Sequence, residues 1–87
     1  MTISEIKKPM TQIEKYNNIF IELFGVKKDE LEALVYQSVA SWDSVGHMGL
    51  MAALEEGFDV MLETEDIISF ASYNNGKEIL RKYGIEI

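Results

Sequence analysis

WDSVGHMGLMAALEEGFDV, residues 42–60, sets an Asp-Ser pair at the head of an apolar run with helical spacing. Met48, Met51, Leu54 and Phe58 recur every three or four residues, with Leu50 beside them, so one face of a helix is apolar. Asp43 or Ser44 stands where a short polar side chain caps such a helix by accepting from its free backbone N–H groups. This predicts a helix over 44–57 whose stripe of Met48, Met51, Leu54 and Phe58 belongs to the core.

Outward from that helix the same period returns twice. In TQIEKYNNIFIELFGV, Ile13, Tyr16, Phe20, Leu23 and Phe24 share a face, Thr11 and Glu14 have capping-box spacing, and Gly25 suits the stop. The predicted helix covers 11–24 and begins just after Pro9. In SYNNGKEILRKYG, Gly76, Ile79, Leu80 and Tyr83 share a face, Ser72 is placed to cap, Arg81 and Lys82 complement the C-terminal dipole, and Gly84 ends a helix over 73–83. Between these, Thr64 as cap with Glu65 and Asp66 in the first turn predicts a short helix over 64–70.

The connection from Gly25 to Trp42 is long for a compact domain, which implies structure of its own. Asp29 and Glu32 have capping-box spacing, and Leu31, Leu34 and Val35 are placed to pin one helical turn to the core, with Tyr36, Val39 and Trp42 anchoring the rest. No segment alternates as a strand does. The fold class is therefore all-α, a small four-helix bundle of three longer helices and one short one with a long first loop. Residues 1–87 read as a single domain, expected to be monomeric.

The bulk properties narrow the function. A chain of 87 residues has little volume for a deep, dry substrate cavity. It contains no cysteine, which excludes disulfides and thiolate metal sites. MTISEIKKPM lacks an apolar targeting core and no stretch is long enough to span a bilayer, so the expected location is the cytoplasm. Net charge is −7, unevenly spread: no lysine or arginine lies between Lys28 and Lys77, where Asp29, Glu30, Glu32, Asp43, Glu55, Glu56, Asp59, Glu63, Glu65 and Asp66 all fall. That field disfavours nucleic acid and anionic membranes and favours partners with basic surfaces.

No phosphate loop and no calcium loop occurs. The only histidine, His47, has no second histidine or cysteine with which to hold a metal, and reads as a surface or boundary residue. Ser44 and His47 lie three apart, which raises a nucleophile and base, yet the sequence offers them neither an orienting group nor an oxyanion hole. The serine at the helix start remains, in a place where backbone N–H groups and the helix dipole also favour an anion.

Asp43-Ser44-Val45, then Met48, Leu50, Met51, Leu54-Glu55-Glu56, Phe58 and Glu65-Asp66-Ile67, closely resembles the acyl carrier proteins, whose hallmark is Asp-Ser-Leu at the start of the second helix. The resemblance runs from the first helix to Ile79-Leu80. It implies a carrier and not an enzyme: a phosphopantetheinyl transferase moves 4′-phosphopantetheine from coenzyme A onto Ser44, making a phosphoprotein. The thiol of the arm then holds an acyl or aminoacyl group as a thioester. It further implies a loading enzyme and an acyltransferase or synthase with basic docking surfaces, and recognition by Asp43, Val45, Ala52, Glu55 and Glu56. Fatty acid, polyketide, nonribosomal peptide and polysaccharide-modification pathways all use such carriers.

The chain departs from the family at three places. Val45 replaces the hallmark leucine, and Gly46 and Gly49 stand at positions where acids are common, at about 1 kcal/mol each in helix propensity relative to alanine. Trp42 and His47-Met48 look more like stand-alone carriers of specialised pathways. A different class of function is an unmodified acidic helical interaction module that keeps a carrier-like fold, and a third is a small hydrolase using Ser44 and His47.

Overall fold

The computed structural model describes residues 10–87. The N-terminal segment with Lys7, Lys8 and Pro9 lies outside the described residues. The chain forms helices α1 (Gln12–Phe24), α2 (Ser44–Phe58), α3 (Thr64–Ser69) and α4 (Tyr73–Arg81), with a 3₁₀ helix, Lys28–Ala33, between α1 and α2. Among the described residues there is no strand, only one antiparallel bridge between Val35 and Ser72. The molecule is all-α, as the periodicity predicts.

α1 begins and ends on local chemistry. The Thr11 hydroxyl accepts from Glu14 N–H while the Glu14 carboxylate accepts from Thr11 N–H, and Gly25 closes the helix in the left-handed region at φ 68°. Tyr16, Phe20 and Phe24 are buried, whereas Leu23, expected on the same face, lies at the margin and is exposed. Phe20 is the hub of the core. Its ring meets those of Tyr16, Phe24, Trp42, Phe70 and Tyr73 at centroid distances of 4.9 to 6.3 Å, so α1, the loop end and the α3–α4 junction share one aromatic cluster.

α4 can approach that cluster because residue 76 has no side chain. A Cβ on Gly76 would stand 2.2 Å from Phe70 Cζ and 2.4 Å from the Tyr16 hydroxyl oxygen. The Ser72 hydroxyl accepts from Asn75 N–H at the helix start, and Tyr16 donates its hydroxyl to the Tyr73 carbonyl at 2.7 Å, so the buried phenol is satisfied. Burial, with Tyr73 adding to it, pushes the Tyr16 phenol far above its ordinary range.

The first loop is ordered by Leu31, Leu34 and Trp42 as expected, but with a different cap at its start. The turn at its start is capped by Lys27 and Glu30: Lys27 N–H donates to the Glu30 carboxylate at 2.8 Å, and Asp29 and Glu32 form no such box. Leu31 and Leu34 are buried as predicted, whereas Val35 is exposed because the backbone there turns outward to bridge Ser72. Tyr36 N–H donates to the Ala71 carbonyl and Tyr73 N–H to the Leu34 carbonyl, lacing the loop to the α3–α4 junction. The loop ends in Trp42, which is 0 % exposed and stacks on Phe24.

α3 differs from expectation at both ends. Its cap is Glu63, without a side-chain bond, and Thr64 is the first helical residue. Asp66, an acid of the first turn as expected, is only 9 % exposed. Its carboxylate accepts from Lys82 Nζ at 2.6 Å and from the Tyr83 hydroxyl at 2.5 Å. Lys82, one residue beyond α4, thus serves α3 instead of the dipole of its own helix.

Candidate functional site

The start of α2 is fixed by Asp43, which settles the choice of cap. Its backbone is extended, its carboxylate accepts from Gly46 N–H at 2.8 Å, and its carbonyl accepts from His47 N–H at 2.7 Å. Gly46 has a steric reason. A Cβ there would lie 1.9 Å from the Ser41 carbonyl oxygen, because the loop crosses directly over the first turn. An acid at this position is excluded by backbone, not by charge. Nothing lies within 4 Å of a Cβ at Gly49, and the structure does not explain that glycine.

Ser44 is the first residue of α2 and is exposed. With Gly46 N–H taken by Asp43, the N–H groups of Ser44 and Val45 are the donors that helix geometry leaves free at this end.

Beside Ser44 runs an open groove of about 390 Å³, lined by Tyr36, His47, Met48, Ile67, Ile68, Phe70 and Ala71 together with Ser44 itself. Its walls are almost wholly apolar. Met48 accordingly leaves the core stripe to which its spacing assigned it: it is 57 % exposed and forms the lip of the groove, while Leu50, Met51 and Leu54 carry the core and Phe58 is half-buried. The sequence reading missed Tyr36, Ile67, Ile68, Phe70 and Ala71 as groove residues. The available signal was the Ile67-Ile68 doublet: a short helix offers one buried face, so one of two adjacent isoleucines must face away from it. Ile67 packs on the core and Ile68 is 76 % exposed.

His47 lies at the boundary, half-buried, and fastens the chain internally. Trp42 Nε1–H donates to His47 Nδ1 at 3.0 Å, and His47 Nε2 lies 2.8 Å from the Ile67 carbonyl oxygen. Indole nitrogen only donates and a carbonyl only accepts, so the ring is the neutral tautomer with its proton on Nε2. Both ring nitrogens are thereby engaged, and neither is offered to the Ser44 hydroxyl.

The expected recognition residues divide into two groups. Val45, 79 % exposed, Ala52 and Glu56 face solvent on α2. The Asp43 carboxylate is occupied by the cap, and Glu55 is half-buried with Oε2 accepting from Leu62 N–H at 2.9 Å, which holds the α2–α3 turn. The acidic middle of the chain is therefore partly structural: Glu30, Asp43, Glu55 and Asp66 bond to the chain itself, while Asp29, Glu32, Glu56, Asp59, Glu63 and Glu65 are exposed.

The bonds from Lys82 and then Tyr83 hold the Asp66 carboxyl below its usual range, and the same carboxylate raises the titration of both donors. Among the described residues no group of three His, Asp or Glu side chains is arranged to hold a metal ion, and no helix is long and apolar enough to cross a membrane. Compared with family models, curated proteins and solved structures, the chain matches none.

Proposed function

We propose that this chain is an acyl carrier protein of the stand-alone kind, with Ser44 as the attachment point for 4′-phosphopantetheine. The observation that carries the reading is the exposed Ser44 hydroxyl at the first position of α2, opening onto an apolar groove. The residues present suit the group. A phosphodiester on Ser44 would be anionic, and the adjoining N–H groups of Ser44 and Val45 have no competing intrahelical partner. The groove gives an apolar wall to the arm and to a short acyl chain, and its polar atoms, the Tyr36 and Ser44 hydroxyls, lie among its lining residues.

In the loading step the Ser44 oxygen bonds to the phosphorus bearing the pantetheine of coenzyme A. The pyrophosphate bond breaks, the nucleotide bisphosphate leaves, and the transferase takes the serine proton. The thiol of the bound arm supplies the thioester chemistry that a chain without cysteine lacks. The chain's own residues orient and shelter: Asp43 and Gly46 fix the helix start, and Met48 and Ile68 border the groove. Val45, Ala52 and Glu56 form the outward surface offered to the transferase, the loading enzyme and the acceptor enzyme, an apolar centre with an acidic edge that suits partners with basic surfaces.

Incubation with coenzyme A, magnesium and a phosphopantetheinyl transferase of broad specificity tests this reading. The intact mass is expected to rise by one phosphopantetheinyl group in the wild-type chain and not in Ser44→Ala. No gain with active transferase, or an equal gain in Ser44→Ala, would overturn it.

A further inference from the structure

The ring of His47 joins three segments. It receives the indole N–H of Trp42 at the end of the first loop, stands on the first turn of α2, and gives its own N–H to the Ile67 carbonyl in α3. Ile67 and Ile68 form one wall of the groove and Ser44 and Met48 the other, so this ring spans the groove's two walls. α3 has six residues, too few to be stable as an isolated helix, and its position depends on such tethers.

Only the neutral ring holds both partners: the imidazolium keeps Nε2–H for the Ile67 carbonyl but loses the Nδ1 lone pair that accepts from Trp42. Protonation places a hydrogen on Nδ1, where Trp42 presents another donor and has no lone pair to offer. Among the described residues, the groups that face the ring carry no opposite charge to offset the added one. From the loop, Tyr36 meets it edge-on at 5.6 Å and Trp42 stacks at 6.2 Å; beyond α3, Phe70 meets it edge-on at 6.2 Å; α3 itself offers the Ile67 carbonyl. Tyr36 is the one titratable group among these. On the ring's own helix, the Asp43 carboxylate is committed to Gly46 N–H. The ring is half-buried and has water on one side, so the imidazolium has a way out that costs the tether both of its bonds.

We infer that His47 is a proton-operated latch on the groove beside Ser44: neutral, it fastens α3 to α2 and Trp42; protonated, it lets go and the groove opens. The latch belongs to the unmodified chain, and only its consequence for a bound arm rests on the carrier reading. Protonation removes the Trp42 bond from the closed state, and losing the net contribution of that one bond raises the open fraction about threefold to tenfold. An apolar probe that enters only the open groove gains apparent affinity by the same factor.

The test follows three signals in the full chain, without any arm, by NMR from pH 8 downward. The signals are the ring C–H of His47, the indole N–H of Trp42 and the methyls of Ile68; the chain has one histidine and one tryptophan, so the first two are unambiguous. The expected result is a common midpoint for all three, with binding of the dye anilinonaphthalene sulfonate rising about threefold to tenfold across it. In His47→Gln, whose amide accepts and donates without titrating, the indole and methyl signals are expected to stay flat. A ring that titrates while the indole and Ile68 signals stay still, a ring that never titrates before the chain unfolds, or an unchanged titration of the indole in His47→Gln would each overturn the latch. None of these outcomes bears on whether Ser44 accepts the arm.

Discussion

Two consecutive residues of α3 are fastened by opposite means. Asp66 is held by an ammonium group and a phenol from the end of α4, a charged clamp whose lysine is largely in solvent. The Ile67 carbonyl is held by a neutral imidazole that leans on Trp42 amid aromatic rings. The charged clamp lies away from Ser44, whereas the neutral one forms part of the groove. A short helix that borders the groove is thus anchored by an ion pair on one side and by a neutral hydrogen bond on the other.

His47→Ala breaks the neutral clamp and leaves the fully buried Trp42 N–H without a partner. It is expected to cost about 1–3 kcal/mol in urea unfolding and to move the Ile68 signals while the Asp66 clamp stays native. Asp66→Asn weakens the charged clamp but keeps one acceptor oxygen, so its loss at neutral pH is expected to be the smaller. Its signature is in acid. The Asp66 carboxyl of the folded chain titrates below its ordinary value, so its contribution is in force above the ordinary carboxylate range and is lost as pH falls through the lowered value. Stability profiles of Asp66→Asn and wild type are therefore expected to converge in that acid range, and profiles that stay parallel would contradict the assignment. Lys82→Met should matter least, because its side chain is mostly exposed and Tyr83 still holds the carboxylate. A thermal melt close to wild type, closer still at high salt, is expected; a loss larger than that of Asp66→Asn would mean that the lysine, not the carboxylate, is the centre of the clamp.

Much of the fold was legible where it depends on residues three or four apart, although the Asp29 and Glu32 spacing yields no capping box. Thr11 and Glu14 bond reciprocally, Gly25 takes the left-handed stop, and Ser72 caps α4, all because these interactions are local. The clamps were not legible, since Asp66 and Lys82 are sixteen apart and His47 and Ile67 twenty apart, joined only by packing. Met48 was assigned to the core because a helical period marks an apolar face without telling a core wall from a groove wall. Gly46 resisted for a related reason. The carbonyl that excludes a side chain there comes from Ser41, five residues back in a loop whose path no periodicity describes. The place of Ser44 at a helix start was legible from the Asp-Ser pair, while the groove that gives it an apolar surround emerges only when the first loop, α2 and α3 are brought together.

The central claim is that Ser44 bears a prosthetic arm in the cell, and an intact-mass spectrum of the chain purified from its own cells, with peptide mapping across residues 42–60, tests it most directly. The account predicts a phosphopantetheinyl adduct on the peptide containing Ser44, alone or extended by the mass of a thioester cargo. A wholly unmodified chain, or an adduct mapped to any other residue, would contradict it.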